Sequence, residues 1–464
     1  MRFAKASALA LMAVLLLGGV AHAGVVNVAG AAGVAQGDTR TFSVNPVRAG
    51  DGLAYGEEVR GLTANGDTLD DFFLVRHAPE GLGTNVPPST LYLGNGGGFN
   101  ESPVDFGTDT SKDADGDTDK HGCDWGFANQ DNRLDLFCAI GLTQNSKNEL
   151  WIQQDNGGFV ERSQAHGLRE YSRGRYRYTT FIDVDSDGDQ DIYVARYTGS
   201  CKCDLNGDGV VDYPGDTFPN ELWINTQTST GTRFVFDGNR TDPNSDDGDF
   251  NLTLNLGAKK DNVACAQNID FDFDGDEDLL FCGANRIKLF RNDYDRVTQS
   301  GGFTDISATK NISGDSQDAR LVDLDGNGLY DLVRLNKTSL VVKYDNGIKG
   351  GFGPTQTLVG SLTAGETLAF GKFDNNQTLD IYALSSRAKF RRDQPDRILL
   401  NPGTRVISSW VVENVPAAPT GAGDDVGAVD YDNDGFDEFL VTNGDRKVFG
   451  PVQLWDWEPG GLPG

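Results

Sequence analysis

The sequence predicts an all-β fold built from repeats, and three observations carry that reading. Fifty-nine glycines among 464 residues, together with many Asn and Asp, call for frequent tight turns. Apolar residues recur in short alternating runs, as in Asp191-Ile192-Tyr193-Val194-Ala195, which has the period of a strand. An Asp-rich segment returns along the chain, and a recurring segment governs the fold before any single element does.

The first residues are Met1-Arg2-Phe3-Ala4-Lys5, followed by an apolar run from Ala8 to Val20 and then Ala21-His22-Ala23. These are the basic, apolar and A-x-A parts of a signal peptide, so residues 1–23 are expected to be removed. The product is expected in the periplasm, at the cell surface or secreted. Beyond residue 23 no stretch approaches the roughly 18 apolar residues of a membrane-spanning helix. The formal net charge is −29, and it becomes more negative still when Arg2 and Lys5 leave with the signal. A surface of that sign repels phosphate backbones and argues against nucleic acid as a partner.

The clearest repeat is DVDSDGDQDIYVA, from Asp183 to Ala195. It returns as DFDFDGDEDLLF from Asp270, DLDGNGLYDLV from Asp323 and DYDNDGFDEFLV from Asp430. Weaker copies are NGDTLDDFFLV from Asn65, NQDNRLDLFC from Asn129 and KFDNNQTLDIYA from Lys372. The last acids of the seven loops, Asp71, Asp135, Asp191, Asp278, Asp331, Asp380 and Glu438, are separated by 64, 56, 87, 53, 49 and 58 residues. Such a period suits one four-stranded blade, so seven copies predict a seven-bladed β-propeller with Asp-rich calcium-binding loops. Its expected extent is residues 52–464, with residues 24–51 leading into it. A second signature, as in KNELWIQQDNGGF from Lys147 and PNELWINTQTSTGTRF from Pro219, follows most loops and reads as a further strand ending in a turn. The longest gap contains an acidic insertion at about 199–219.

In D-x-D-x-D-G-x-x-D, side chains one, three, five and nine turn inward, and Gly at position six takes a positive φ at little cost. Clustered carboxylates repel one another without a cation, and hard oxygen donors suit Ca²⁺ rather than Zn²⁺. The expected ligands are Asp183, Asp185, Asp187 and Asp191; Asp270, Asp272, Asp274 and Asp278; Asp323, Asp325, Asn327 and Asp331; and Asp430, Asp432, Asp434 and Glu438. An EF-hand needs an acid at position twelve, where this chain has Val194, Phe281, Arg334 and Val441. DLNGDGVVD inside the insertion offers Asp204, Asn206, Asp208 and Asp212 as a further site, resembling the calcium loop of dockerins and bringing the expected total to four or five ions. DADGDTD, from Asp113, lacks the Gly and reads equally as a solvated turn or a metal site.

The degenerate loops are expected to differ. Lys372 stands at position one of the sixth, where its ammonium is expected to neutralise Asp374 and Asp380 in place of an ion. The second has Phe127 at position one, and the first offers Asn65, Asp67 and Asp71 with irregular spacing. Either binds metal weakly or only folds.

Six cysteines in an exported chain point to disulfides. Cys123 and Cys138 bracket one loop, and Cys265 and Cys282 bracket another one step further out on both strands, which preserves an antiparallel register. The expected bonds are Cys123 to Cys138 and Cys265 to Cys282, leaving Cys201 and Cys203 as a C-x-C pair that could close a small ring beside the inserted loop, a structural staple rather than a redox site. Other pairings remain open, since sequence does not fix connectivity.

With these loops in view, the chain resembles the FG-GAP, or VCBS-type, repeats of the integrin α-subunit head and of bacterial exported proteins. The likeness is nearest to bacterial relatives of cartilage acidic protein, in which His-Gly precedes an acidic loop, as His121-Gly122 does here. It spans about Gly52 to Trp457 and implies a seven-bladed propeller with calcium in its blade loops. The chain departs from the family in having no evident further domain after Trp457 and no Arg-Gly-Asp, so no partner carries over.

The mature chain retains His77, His121 and His166, and neither G-x-S-x-G nor H-E-x-x-H occurs. The run Tyr171, Arg173, Arg175, Tyr176, Arg177 and Tyr178 reads either as a sugar platform or as an exposed strand. The leading expectation is a non-enzymatic module that binds protein or glycan through loops on a rigid face. The alternative is a calcium-dependent polysaccharide-active enzyme of lyase or hydrolase type. A purely structural envelope protein is a third reading.

Overall fold

The computed structural model describes residues 25–27, 41–47, 64–76, 89–106, 120–140, 148–168, 176–196, 221–236 and 263–457, apart from 66, 68, 229–230, 284–285, 315, 348–349, 375, 386–394, 416–422 and 444–450. The described residues form seven four-stranded antiparallel sheets, each a blade. In blades 1 to 6 the strands pair in chain order, first to fourth. The first strands of neighbouring blades touch one another, which puts them on the inside of the ring. Blade 3 is typical, with Tyr176–Ile182, Asp191–Arg196, Glu221–Thr228 and Gly231–Phe236. The Asp-rich loop always joins the first strand to the second.

Blade 7 is assembled from both ends of the chain. Gly423–Val429, Glu438–Asn443 and Gln453–Trp457 supply three strands, and Val25–Asn27 pairs along Gln453–Trp457 as the fourth. The register is Val25 to Trp457, Val26 to Asp456 and Asn27 to Trp455. Thr41–Val47 is the first strand of blade 1. The segment 24–51, expected to lead into the propeller, therefore places strands in two of its blades.

Strand alternation explains how the blades cohere. Successive side chains point to opposite faces of a sheet. Phe72 and Leu74 face blade 7 and pack with Val429, Leu440 and Leu454, whereas Phe73 and Val75 face blade 2 and pack with Trp125 and Leu136. In blade 3, Ile192 and Val194 join the core shared with blade 2, and Tyr193 and Ala195 that shared with blade 4. An apolar cluster fills each of the seven blade interfaces, including the one between blades 7 and 1. Each fully buried side chain of this kind contributes about 1.5–3 kcal/mol relative to exposure.

Cys123 lies opposite Cys138 and Cys265 opposite Cys282 in the strand register, and both pairs are disulfide-bonded. Their Cα atoms are 4.1 and 5.0 Å apart. The stepping-out of the cysteines along both strands corresponds to this pairing. Cys201 and Cys203 lie outside the described residues.

Candidate metal centres

The four intact loops share one local construction. The position-one carboxylate accepts two backbone N–H groups across the turn. Asp183 accepts those of Asp187 at 3.1 Å and Gly188 at 3.0 Å, and Asp430 those of Asp434 at 3.1 Å and Gly435 at 3.0 Å. Asp270 and Asp323 do the same for Asp274, Gly275, Asn327 and Gly328. Gly at position six has φ of 90° in Gly188 and 91° in Gly435, the left-handed region that glycine enters at little cost. Position four is also left-handed, at 54° in Ser186 and 58° in Phe273, a requirement that sequence reading did not reveal.

This turn aims carboxylates at one point. Oxygens of Asp183, Asp185 and Asp191 lie within 4.8 Å of one another, as do those of Asp270, Asp272 and Asp278 and those of Asp323, Asp325 and Asp331. In blade 7 the group is Asp430, Asp432 and Asp434. At position three, Oδ1 of Asp185, Asp272, Asp325 and Asp432 is buried without a hydrogen-bond partner in every case. A buried carboxylate oxygen left alone is costly, and the same orphan recurs in all four loops. Clustered oxygen donors with a shared orphan fit Ca²⁺, which the position-one and position-three carboxylates would hold with position nine in blades 3, 4 and 5 and with position five in blade 7.

Each remaining expected ligand accepts a backbone N–H through one oxygen. Position five closes the turn: Asp187 Oδ1 accepts Asp189 N–H at 3.1 Å, Asp274 Oδ1 accepts Asp276 N–H at 3.1 Å and Asn327 Oδ1 accepts Leu329 N–H at 2.7 Å. Glu438, one methylene longer than Asp, accepts Tyr431 N–H at 2.9 Å and is not in the blade 7 group. Asp204, Asn206, Asp208 and Asp212, and the acids from Asp113, lie outside the described residues.

Position nine is an anchor in the degenerate blades as well as the intact ones. In blades 2 to 6 its two oxygens accept the N–H of position two and that of a residue in or just after the third strand. Asp191 takes Val184 at 2.9 Å and Asn225 at 2.7 Å, and Asp278 takes Phe271 at 2.9 Å and Asn292 at 2.7 Å. Asp135 takes Ala128 at 3.1 Å and Gln153 at 2.9 Å; Asp380 takes Phe373 at 3.0 Å and Asn401 at 2.7 Å. Asp71, counted back to Asp67 at position five and Asn65 at position three, has the regular spacing after all and accepts Gly94 N–H at 2.9 Å. In blades 1 to 6 the acid thus ties loop to sheet, which accounts for its presence in the degenerate copies as well as the intact ones.

Burial dominates the electrostatics. It pushes Asp71, Asp135, Asp331 and Asp380 up to about 7 and Asp278 to about 8, with neighbouring carboxylates adding to the rise. Asp191 is raised well above the usual carboxylate range, and Asp185 reaches about 6. A cation among these groups would offset the cost of keeping them charged.

In the degenerate loops the position-three side chain is satisfied by the protein. Asp374 accepts Asn376 N–H at 2.9 Å and its side-chain amide at 3.1 Å, so Asn376 takes up the oxygens that an ion would have used. In blade 2, position three is Asn129, and Arg133 pairs with Asp131 at 2.5 Å and with Asp155 at 2.8 Å.

Position eight carries an inter-blade contact that sequence reading missed. Glu277 of blade 4 accepts Asp183 N–H of blade 3 at 2.8 Å, and Gln190 of blade 3 accepts Phe127 N–H of blade 2 at 2.7 Å. Asp437 accepts Lys372 N–H at 2.6 Å, and Asp70 accepts Asp430 N–H at 2.9 Å. Position eight thus reaches back to position one of the preceding loop. In the other three blades it is Leu134, Tyr330 or Leu379, of which Leu134 and Leu379 sit in interblade cores and Tyr330 stacks on Phe273 with centroids 5.4 Å apart. The signal available was an acid or amide beside the last Asp, but its partner lies a blade away.

His166 Nδ1 lies 2.9 Å from the carbonyl of Thr232, a structural contact. Tyr176–Ile182 is a strand, and Tyr178 is half-buried against the core between blades 3 and 4. His77 and Tyr171 to Arg175 lie outside the described residues.

Fold and loops together define a seven-bladed β-propeller whose blades carry carboxylate loops between their first and second strands. Residues 128–194, from the loop of blade 2 to the second strand of blade 3, match the family model described as the FG-GAP-like repeat. No curated protein matches the chain in sequence. Among solved structures, an Agrocybe aegerita lectin that recognises non-reducing terminal N-acetylglucosamine aligns at 15% identity over 81% of this chain and 80% of that one, with a TM-score of 0.44. A chain of the COPII outer coat vertex on membranes aligns at 9% identity over 90% of this chain and 84% of that one, with a TM-score of 0.43. At these values neither likeness bears on what this chain binds. No helix among the described residues is long and apolar enough to cross a membrane.

Proposed function

We propose that this chain is an exported calcium-binding β-propeller that acts as an interaction module for protein or glycan, with calcium stiffening the loops of blades 3, 4, 5 and 7. The observation that carries the metal reading is the partnerless buried oxygen at position three in each of those loops. Two disulfides across neighbouring strands suit an oxidising compartment. The interaction reading rests on the architecture: a ring of packed blades holds its connecting loops in fixed positions, as a binding surface requires. At about 1 mM free calcium and a site constant of about 10 µM, each ion would add about 2.7 kcal/mol to folding.

The test is metal analysis and thermal unfolding of the protein and of Asp185→Ala and Asp374→Ala, each with calcium or with EGTA. The expected result is a lower midpoint in EGTA, one ion fewer in Asp185→Ala and an unchanged count in Asp374→Ala. Equal midpoints with no bound ion would reduce the loops to solvated turns.

A further inference from the structure

The four loops differ in their charged surroundings, and we propose that the blade 5 site is the low-affinity member of the set, held weak by Arg405. This rests on the calcium reading above. In blade 3 the loop keeps Asp at positions one, three, five and nine, and carboxylates of blade 4 crowd it: Glu277 accepts Asp183 N–H and Asp276 accepts the Ser186 hydroxyl at 2.6 Å. In blade 7 the carboxylate of Asp70 adds to the loop in the same way.

Blade 4 keeps all four acids, with Arg291 and Lys310 near Asp272, and Arg291 donates to Asp293 at 2.7 Å. Blade 5 instead has lost an acid and has a cation bonded to its position-three carboxylate. Asn327 replaces the position-five acid, and its amide donates to Asp345 at 2.8 Å. Position eight of blade 6 is the buried Leu379, which brings no charge. From the loop after the third strand of blade 6, Arg405 reaches across: its Nε donates to Oδ2 of Asp325, and its other nitrogens contact the Asp345 carboxylate at 2.5 Å and the Asp345 carbonyl at 3.0 Å. The guanidinium lies 5.2 Å over the Tyr344 ring, which fixes it there. The Asp325 carboxylate is therefore shared, with Oδ2 on Arg405 and Oδ1 buried beside Asp323 and Asp331.

A partner of this kind can raise affinity by orienting a ligand or lower it by charge. Here charge prevails, because a fixed positive group shares a carboxylate with a site that already has one acid fewer. Arg405 is 41% exposed, so solvent screening keeps the effect modest.

Calorimetric calcium titration of the metal-free protein, Arg405→Met and Asn327→Asp tests this. The expected result is that the weakest constant tightens about threefold in Arg405→Met. It should also tighten in Asn327→Asp, while the other constants and the number of ions stay the same. A weakest constant that neither substitution moves overturns the proposal. Tightening in Asn327→Asp alone overturns the role of Arg405. Calcium bound to no form of the protein would overturn the calcium reading itself, a result separate from either of these.

Discussion

The carboxylate of Asp70 accepts the backbone N–H of Asp430 at 2.9 Å, joining residues 360 positions apart. It is the side-chain counterpart of the strand Val25–Asn27, since both tie blade 1 or the N-terminal segment to blade 7. Asp70 is 6% exposed, so the N–H it satisfies has little access to water.

Replacing Asp70 with Ala should therefore destabilise the protein by about 1–3 kcal/mol, the cost of an unsatisfied buried donor. Asp70→Asn, which keeps an acceptor oxygen, should cost less. Denaturant unfolding of both variants checks the order, and equal losses would contradict it.

Asp380 separates the structural use of position nine from metal binding. It accepts N–H groups from Phe373, Asp374 and Asn401 in a loop whose position-three acid is already satisfied by Asn376. Asp380→Ala should cost about 2–4 kcal/mol by leaving several buried donors unmet. The loss should be the same in calcium and in EGTA when followed by denaturant unfolding. A loss seen only in calcium would show that this loop, too, binds the ion.

The pH dependence follows from burial. In the metal-free fold Asp135, Asp331 and Asp380 are pushed up to about 7 and Asp278 to about 8, above the unfolded value. A group raised on folding contributes stability below its unfolded pKa and loses it as pH rises through the folded one. The midpoint in EGTA should therefore fall between about pH 5 and pH 8, and the gain from calcium should widen over the same interval. Thermal unfolding at both pH values, with and without calcium, checks the sign. A midpoint in EGTA that rises over this interval would contradict it.

Much of this was legible in the residues. The blade count, the loop phase and the two disulfides follow from patterns local to one blade, where alternation and spacing act directly. What lay hidden crosses between blades. Val25–Asn27 is three residues long, and its partner Gln453–Trp457 lies at the other end of the chain, so no local pattern announces the pairing. The position-eight contacts of Gln190, Glu277, Asp437 and Asp70 were obscured for the same reason. At position nine the local chemistry shows only part of the role: an acid in a D-x-D-x-D loop reads as a ligand, and Asp135 and Asp380 make the same backbone bonds where intact ligand sets are lacking.

On the proposed calcium reading, loops that share one place in the blade divide into those that hold the ion and those satisfied by the protein alone. Anomalous diffraction from crystals grown in calcium tests it most directly. An ion is expected against Asp185, Asp272, Asp325 and Asp432, and none against Asn129 or Asp374. Density beside Asp374, or its absence beside the other four carboxylates, would contradict it.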